Sequence, residues 1–302
     1  MIKKPGLLLS LLFFFYTSSF AQTHGILPLS GIQYFYEGIS AKYIDVSIDG
    51  SPITSNRIPA NKEFVVKLQL PAGFTEDASK KIYPAADVSF LSAKKTLLTP
   101  VITFLKENEK TGFASNGLKD IPLILSLRSE WLKYETECLV QIRYFDLKSK
   151  KQLLVLFPIS VAAPTEPLAV SKFTNSIITS DLSVGLSSGL KMNKAEIMVD
   201  TSIRVSPKTA YLSIEINNIT GTSMTEVLAG KNTFWVYDET MQEIKIPEKF
   251  LKKVGGSMED NLVNYTMKIP FRDKTNLKKG YTVRYRWESM DRKKIIDIVS
   301  TK

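Results

Sequence analysis

Apolar and polar residues alternate with a period of two in two widely separated segments of the chain, 138–146 and 281–287. Each segment is followed by a short polar turn and then by an apolar run, 153–157 in the first case and 295–299 in the second. Alternation of this kind places one set of side chains on a single face of a strand, which a sheet can bury. Both segments therefore predict β-hairpins, and the alternating residues are Val140, Ile142 and Tyr144 in the first and Val283, Tyr285 and Trp287 in the second.

These hairpins close a longer series of matches that occur in the same order in both halves of the chain. The matched pairs are Arg57 with Arg204, 64–70 with 211–216, 88–90 with 235–237, Pro100 with Pro247, and 127–129 with 271–273. Their separation drifts only from about 147 to about 142 residues, and it drifts in regions that read as loops. The series predicts an internal duplication.

The pattern as a whole predicts an all-β fold of two tandem β-sandwich domains, because short strands are divided by turns throughout. We place the domains at 22–161 and 171–302, joined by a linker at 162–170 whose prolines make it stiff. Four segments carry more specific expectations. They are an unstructured lead-in at 23–30, a helical turn at 75–81, an edge strand or loop at 171–189, and a short helix at 247–256.

Residues 1–21 have the composition of a secretory signal peptide. A basic start is followed by the apolar run 7–16 and by small residues at Ser19 and Ala21, which predicts cleavage after Ala21. A membrane anchor is the alternative, but the run is shorter than the roughly 20 apolar residues that a spanning helix needs. We expect an exported protein without a transmembrane segment in the mature chain, located in the periplasm, at the outer membrane or outside the cell.

The net charge of the chain bears on which chemical class of partner it could bind. The formal net charge is +10, and the cations are dispersed over strands and turns. A solvated basic surface is one interpretation, and attraction to an acidic glycan or protein is the other. Nucleic acid is not expected, because no recognition helix or repeated aromatic–basic strand motif occurs. The single cysteine, Cys138, lies on an apolar strand and is expected to be a small buried hydrophobe.

The residues that most catalytic and metal sites need are scarce. The only histidine is His24, so a catalytic triad, a histidine metal site or a thiolate cluster is not expected, and neither is a cofactor. Carboxylate-only chemistry remains open, since a glycosidase needs two acids. Candidate acids are Asp45, Asp49, Glu63, Asp200 and Glu215, of which Asp45 and Asp49 are also the candidate calcium ligands.

Exposed aromatic and basic residues are the remaining binding signal. Tyr34 and Tyr36 belong to a strand with aromatics on both faces, and Trp131 lies in a polar connection. These rings are expected either to pack under a loop or against the other domain, or to contact a sugar or a protein. Both hairpin turns are basic, so the candidate binding residues also include Lys150, Lys151, Arg292, Lys293 and Lys294.

The strand pattern over both domains resembles the tandem immunoglobulin-like or C2-like sandwiches of exported bacterial proteins. The segments 278–283 and 293–296 also resemble the C-terminal sorting domains of type IX secretion, which carry Gly-Tyr before a strand and a Lys-Ile-Val-rich last strand. Closure of an ordinary domain accounts equally well for this motif, because the first domain has the same hairpin in mid-chain.

Together these features predict a non-enzymatic protein that acts in binding, adhesion or assembly at the cell envelope. Its expected partner is another envelope or secreted protein, or a surface glycan, and strand addition at an open sheet edge is one physically reasonable mode. A carbohydrate-binding module and a carboxylate-dependent glycan-active enzyme are the alternatives.

Overall fold

The computed structural model of the chain describes residues 24–300, except positions 54, 133–134, 167–172, 180–181, 188, 201–209, 246–253, 260–261 and 272–280. The fold is all-β, as predicted. Its strands fall into a first half (24–166) and a second half (173–300). Each half has its own cluster of buried apolar residues between two sheets.

The first half contains thirteen strands, a one-turn helix α1 (Ser129–Leu132) and a 3₁₀ turn (Lys106–Glu109). Its strands are β1 (His24–Ile26), β2 (Gln33–Glu37), β3 (Ser40–Ile48), β4 (Ser51–Pro52), β5 (Arg57–Pro59), β6 (Glu63–Ala72), β7 (Lys81–Ile82), β8 (Pro84–Ser92), β9 (Ile102–Phe104), β10 (Phe113–Ala114), β11 (Asp120–Ser126), β12 (Glu137–Asp146) and β13 (Gln152–Ala162).

Ten strands and one short helix, α2 (Met224–Ala229), are described in the second half. The strands are β14 (Phe173–Thr179), β15 (Leu182–Ser187), β16 (Lys194–Asp200), β17 (Ala210–Ile219), β18 (Lys231–Tyr237), β19 (Glu243–Ile244), β20 (Val254–Glu259), β21 (Leu262–Phe271), β22 (Thr282–Glu288) and β23 (Ile295–Ser300).

The two halves have the same strand order. In the first half, sheet A1 runs β1-β2-β13-β12-β8-β9 with β5 paired to β13, and sheet B1 runs β11-β6-β3-β4. In the second half, sheet A2 runs β14-β15-β23-β22-β18-β19, and sheet B2 runs β16-β17-β21-β20. A2 repeats A1 position by position, and β21-β17-β16 repeats β11-β6-β3. The strands β4, β5, β7 and β10 of the first half, of which β7 and β10 form a small sheet of their own, and β20 of the second half have no counterpart among the described residues.

Register fixes which residues are equivalent in A1 and A2. Arg143 of β12 lies opposite Asp87 and Leu154, and Arg286 of β22 lies opposite Thr233 and Asp297. Because the two hairpins match strand for strand, Arg143 corresponds to Arg286. The same register pairs Val88 with Phe234, because these residues lie opposite Ile142 and Tyr285. The sequence comparison had paired Val88 with Trp235, and that match was wrong by one residue.

Two local expectations are wrong, and the choice left open for 171–189 is decided in favour of strands. The lead-in 23–30 was predicted to be unstructured, but from His24 onward it forms β1 and a loop in which Leu29 and Ser30 are buried. No helical turn forms at 75–81. Instead the Asp77 carboxylate accepts hydrogen bonds from the amides of Ser79 and Lys81 and shapes a turn. The segment 171–189 contains β14 and β15, and β14 is an edge strand.

The segment predicted to be a helix, 247–256, lies mostly outside the described residues, and its last three residues begin β20. Cys138 is buried in the first core, as expected from its sequence context. Burial raises the pKa of its thiol to about 12.

Candidate functional site

Residues 24–32 form a strap that leaves the first half and packs on the outer face of sheet A2. The Leu29 side chain lies against Gly185 of β15, where a Cβ atom would come within 2.7 Å of Leu29 Cγ. Ile26 and Phe35 form an apolar cluster with residues of the second half, which are Tyr237, Met241, Val299 and Trp235. The strap therefore joins the two halves through a dry contact.

A charged cluster fixes the main chain of the strap. Asp297 accepts hydrogen bonds from Arg284 Nε at 3.0 Å and Nη2 at 2.7 Å, and from the Leu29 amide at 3.1 Å. Arg286 Nη1 donates to the Leu29 carbonyl at 3.0 Å and lies 3.3 Å from Asp297. The side chain of Asp297 is 0% exposed. Burial alone would raise the pKa of Asp297, but the two guanidinium groups outweigh it and hold the pKa below its ordinary value.

The linker end of the first half is tied down separately. Arg57 donates two hydrogen bonds to the carboxylate of Glu166, at 2.5 and 2.6 Å. This bond lowers the pKa of Glu166, and the nearby charge of Arg292 acts in the same direction. The second hairpin turn therefore lies beside the linker.

The outer face of sheet A1 is the equivalent surface in the first half, and it carries an aliphatic row among polar residues. One row across the sheet joins Pro158, Leu139, Leu91 and Leu97. Leu97 is 57% exposed and Val101, just before β9, is 48% exposed, while the other three residues of the row are half-buried. The outer face of an antiparallel sheet is usually polar. An aliphatic row on this face therefore indicates a surface for contact.

A charged pair lies on the same face of A1, four residues further along β12 than Leu139, with the Gln141 and Ser89 pair between. Arg143 Nη2 donates to Asp87 Oδ2 at 2.5 Å, and Asp87 Oδ1 accepts from the Thr103 hydroxyl at 2.8 Å. The Arg143 side chain is 47% exposed and that of Asp87 is 20% exposed. Arg143 also lies over the ring of Phe145, 4.6 Å from its centroid.

The three predicted aromatic residues, Tyr34, Tyr36 and Trp131, all pack against the first core. Tyr34 and Tyr36 both face the first core, with ring centroids 4.9 Å apart. Burial raises the pKa of Tyr34 to about 12, and the Tyr36 hydroxyl donates to the Ala41 carbonyl. Trp131 of α1 packs 5.4 Å from Phe90. Within the strand 33–37, the ring that points away from the core is Phe35, which contacts the second half.

The predicted basic residues do not converge. Lys151 donates to the Gly73 carbonyl at 2.7 Å, and Lys150 is exposed beside it. In the other turn, Lys294 pairs with Glu226 at 2.7 Å and Lys293 lies 3.9 Å from Asp291. The turn that holds Lys150 and Lys151 comes directly before β13. Arg292 lies near Glu166, which follows the other end of β13. The 11 residues of β13 separate them by roughly 33 Å at about 3.3 Å per residue.

The candidate acids are spread over both halves. Asp45 on β3 accepts a hydrogen bond from the side chain of Gln69, and burial raises its pKa against the opposing effect of Lys67. Asp49 pairs with Lys62 at 2.7 Å. Glu63 begins β6, whereas Glu215 belongs to β17 of the second half. The side chain of Asp200 lies outside the part of the chain that the structure describes.

Within the described residues, no group of three His, Cys, Asp or Glu side chains is placed to hold a metal ion. None of the helices in this part of the chain is long and apolar enough to cross a bilayer. No protein-family model matches the sequence, and no curated protein is significantly similar to it.

Proposed function

We propose that this chain is a non-enzymatic exported protein of the cell envelope that binds another protein. In this proposal, two sandwich domains of the immunoglobulin-like or C2-like kind, 22–161 and 171–302, arose by duplication. The outer face of sheet A1 is the contact surface. Export rests on the composition of residues 1–21, which is that of a cleaved signal peptide.

The duplication is supported by features that are harder to match by chance than a strand order. Gly73 and Gly221 both have positive φ, 95° and 86°, and a Cβ on either would collide with a glycine carbonyl, that of Gly38 or Gly189. Because only glycine tolerates both demands, the same close approach of two loops is built into each half.

The hairpin turns also agree in detail. In the first turn, the Asp146 amide donates to the Lys151 carbonyl, and the Asp146 carbonyl accepts from the Ser149 amide. Ser289 makes the matching two bonds with Lys294 and Arg292. Turns of equal length with the same main-chain bonds set the same hairpin register.

The observation that carries the binding function is the aliphatic row on the outer face of A1. Leu97 and Val101 are about half exposed, and burying apolar surface contributes about 25 cal/mol per Å². Aliphatic side chains favour a protein partner, because glycans are usually bound by exposed aromatic rings. A different row of the same face, that of Arg143 and Leu154, leads to Phe35 at the junction.

Site-specific photo-crosslinking tests this proposal. A photoreactive phenylalanine analogue is placed at Leu97, and as the control at Ile124, which is 61% exposed on the outer face of sheet B1. In cells, irradiation should give a protein adduct of discrete mass from position 97 and none from position 124. The proposal fails if position 97 gives no adduct, or if both positions give the same set of adducts.

A further inference from the structure

We propose that two copies of this chain associate through β14, the edge strand of sheet A2, and that the two strands pair antiparallel about Asn175. The partner at this edge is therefore a second copy of the same chain. This contact is separate from the one on A1, because it lies on the other half and uses main-chain groups.

β14 is the least protected of the edge strands described in the second half. It has seven residues, of which none is charged and none is proline, and among the described residues it pairs only with β15. Natural sheets protect their edges with short strands, charges, prolines or bulges. The other edges of this half have such features, since β19 has two residues and β16 begins with Lys194 and ends with Asp200. β20 contains two consecutive glycines, which weaken a strand.

The register of A2 shows that the main chain of Asn175 points to the free edge. The Ile295 amide of β23 donates to Ser187 of β15. Because main-chain direction alternates along a strand, Asp297 also directs its N–H and C=O toward β15. Its partner there is Gly185, whose main-chain groups are therefore used on the side of β23. Asn175 lies opposite Gly185 on the other side, so its own N–H and C=O face away from β15.

The regular part of β14 is symmetric about Asn175 in the chemical type of its residues. Its register with β15 is uninterrupted from 173 to 177 and shifts between Ile177 and Thr179. Within 173–177 the types read apolar, hydroxyl, amide, hydroxyl, apolar in both directions. The residues are Phe173, Thr174, Asn175, Ser176 and Ile177. An antiparallel pair with its two-fold axis at Asn175 therefore brings like types opposite one another.

Pairing about this axis also satisfies the free main-chain groups of the segment. By the alternation along the strand, Phe173 and Ile177 direct their N–H and C=O groups to the same edge as Asn175. In the dimer, Phe173 lies opposite Ile177 of the second copy, and Asn175 lies opposite its own counterpart. Each of these pairs exchanges both of its main-chain hydrogen bonds, and the two A2 sheets become one continuous sheet.

The charge of the protein favours a second copy at this edge over the other edges. Two chains of net charge +10 repel each other, and like charges directly opposite in a sheet are destabilising. β14 presents no charge to its own copy, and aromatic with β-branched pairs and hydroxyl pairs are among the favourable cross-strand neighbours. A two-fold interface requires a self-complementary surface, which the symmetric segment provides.

Sedimentation velocity of the purified mature protein tests the association, with Asn175→Pro and Asn175→Ala as a matched pair. Proline removes the outward N–H at the axis and keeps the bonds to β15, as prolines on edge strands do, whereas alanine keeps that N–H. Since the bond at the axis occurs twice in the dimer, Asn175→Pro should raise the dissociation constant of the dimer about tenfold or more. Asn175→Ala should leave it within about threefold of wild type. Circular dichroism and the urea midpoint show whether each variant is folded.

Cysteine cross-linking locates the axis independently of the proline variant. Asn175→Cys places two cysteines opposite one another with Cα atoms about 5.5 Å apart, a separation that a disulfide spans. In Thr179→Cys, the same pairing separates the two cysteines by roughly 26 Å at about 3.3 Å per residue. Oxidation by copper(II)-phenanthroline should give covalent dimer from position 175 about tenfold faster than from position 179. Wild type should give none, because its Cys138 is buried.

Association through β14 is excluded if wild type stays monomeric at every concentration, or if Asn175→Pro and Asn175→Ala associate equally. Equal cross-linking rates at positions 175 and 179 would exclude it as well. A dimer that Leu97→Asp abolishes and Asn175→Pro preserves would move the contact to A1. The photo-crosslink from position 97 to a different protein does not depend on any of these results, so the binding function is tested separately.

Discussion

Replacing Asp297 by asparagine tests the junction between the halves most directly. The substitution keeps the shape of the side chain but removes its charge. It leaves the buried Arg284 without the carboxylate that neutralises it and removes one of the carboxylates near Arg286, which also lies 3.8 Å from Glu288. One oxygen that accepts hydrogen bonds is also replaced by a donor. Removing one partner of a buried, hydrogen-bonded ion pair costs about 3–5 kcal/mol. That is a large part of the about 5–15 kcal/mol by which a domain is usually stable.

The first half provides a matched control. Asp87→Asn changes the same residue type beside the equivalent arginine, but Arg143 is 47% exposed where Arg286 is 9% exposed. Water can replace the lost interaction at the exposed pair, and exposed ion pairs contribute about 1 kcal/mol or less. The two variants should therefore differ by at least about 2 kcal/mol although the chemical change is identical.

Urea unfolding followed by tryptophan fluorescence and by far-ultraviolet circular dichroism measures both costs. Trp235 is a local probe, because its ring lies 4.7 Å from the guanidinium carbon of Arg284. Asp297→Asn should lower the urea midpoint of the transition that Trp235 reports, with little change in slope. The reasoning is refuted if Asp297→Asn costs less than about 1 kcal/mol, or if Asp87→Asn costs as much.

Three further outcomes follow from the same contacts. Leu29→Ala should destabilise the second half by about 2–4 kcal/mol, since it removes most of a side chain that is only 2% exposed. Faster amide hydrogen exchange in β23 would show this loss of stability, and an unchanged exchange rate would contradict it. Tyr285→Phe should lower the free energy of unfolding by about 1–2 kcal/mol, because it removes the hydrogen bonds of the Tyr285 hydroxyl with Tyr265 and Asn232. Tyr144→Phe should be neutral or stabilising, because the Tyr144 hydroxyl is buried and has no hydrogen-bond partner among the described residues. Calorimetry of both variants measures the two effects. The pKa of Asp297 is lowered in the folded state, so its stabilising contribution is complete above about pH 4 and is lost as the pH falls through the folded pKa. The difference in unfolding free energy between wild type and Asp297→Asn should therefore narrow below about pH 4. A constant difference down to about pH 2 would contradict this.

The strand pattern was predictable because burial in a sheet imposes a period of two, and the sequence shows this period in both hairpins. The junction was not predictable in the same way. Residues 24–32 lack any period, and Leu29 and Asp297 are 268 positions apart, so no local signal connects them. The signal that could have pointed there is the charged set Arg284, Arg286 and Asp297, which alternates with the core residues of the last hairpin.

A register error of one residue explains why the role of Trp235 was missed. Pairing Trp235 with Val88 places its ring in the second core, because Val88 faces the first core. The observed register pairs Val88 with Phe234, so Trp235 points to the opposite face and lies under Arg284. A slip of one position moves every side chain of a strand to the other face, and sequence spacing alone does not resolve a single residue.

The structure also bears on how a partner would reach the first half. The edge strands β1 and β9 have three residues each and β4 has two, which is too short for extensive strand addition. The strands β5, β7 and β10 also have a free edge and are three residues or shorter, and the longest edge strand described in the first half, β11, contains Pro122. The Leu70 amide donates to the Lys119 carbonyl, so the alternation of paired positions turns the main chain of Pro122 toward the free edge. Proline has no N–H to donate there. The described edges of the first half therefore leave little main chain free for strand addition, and the proposed contact through the outer face of A1 does not require a free edge.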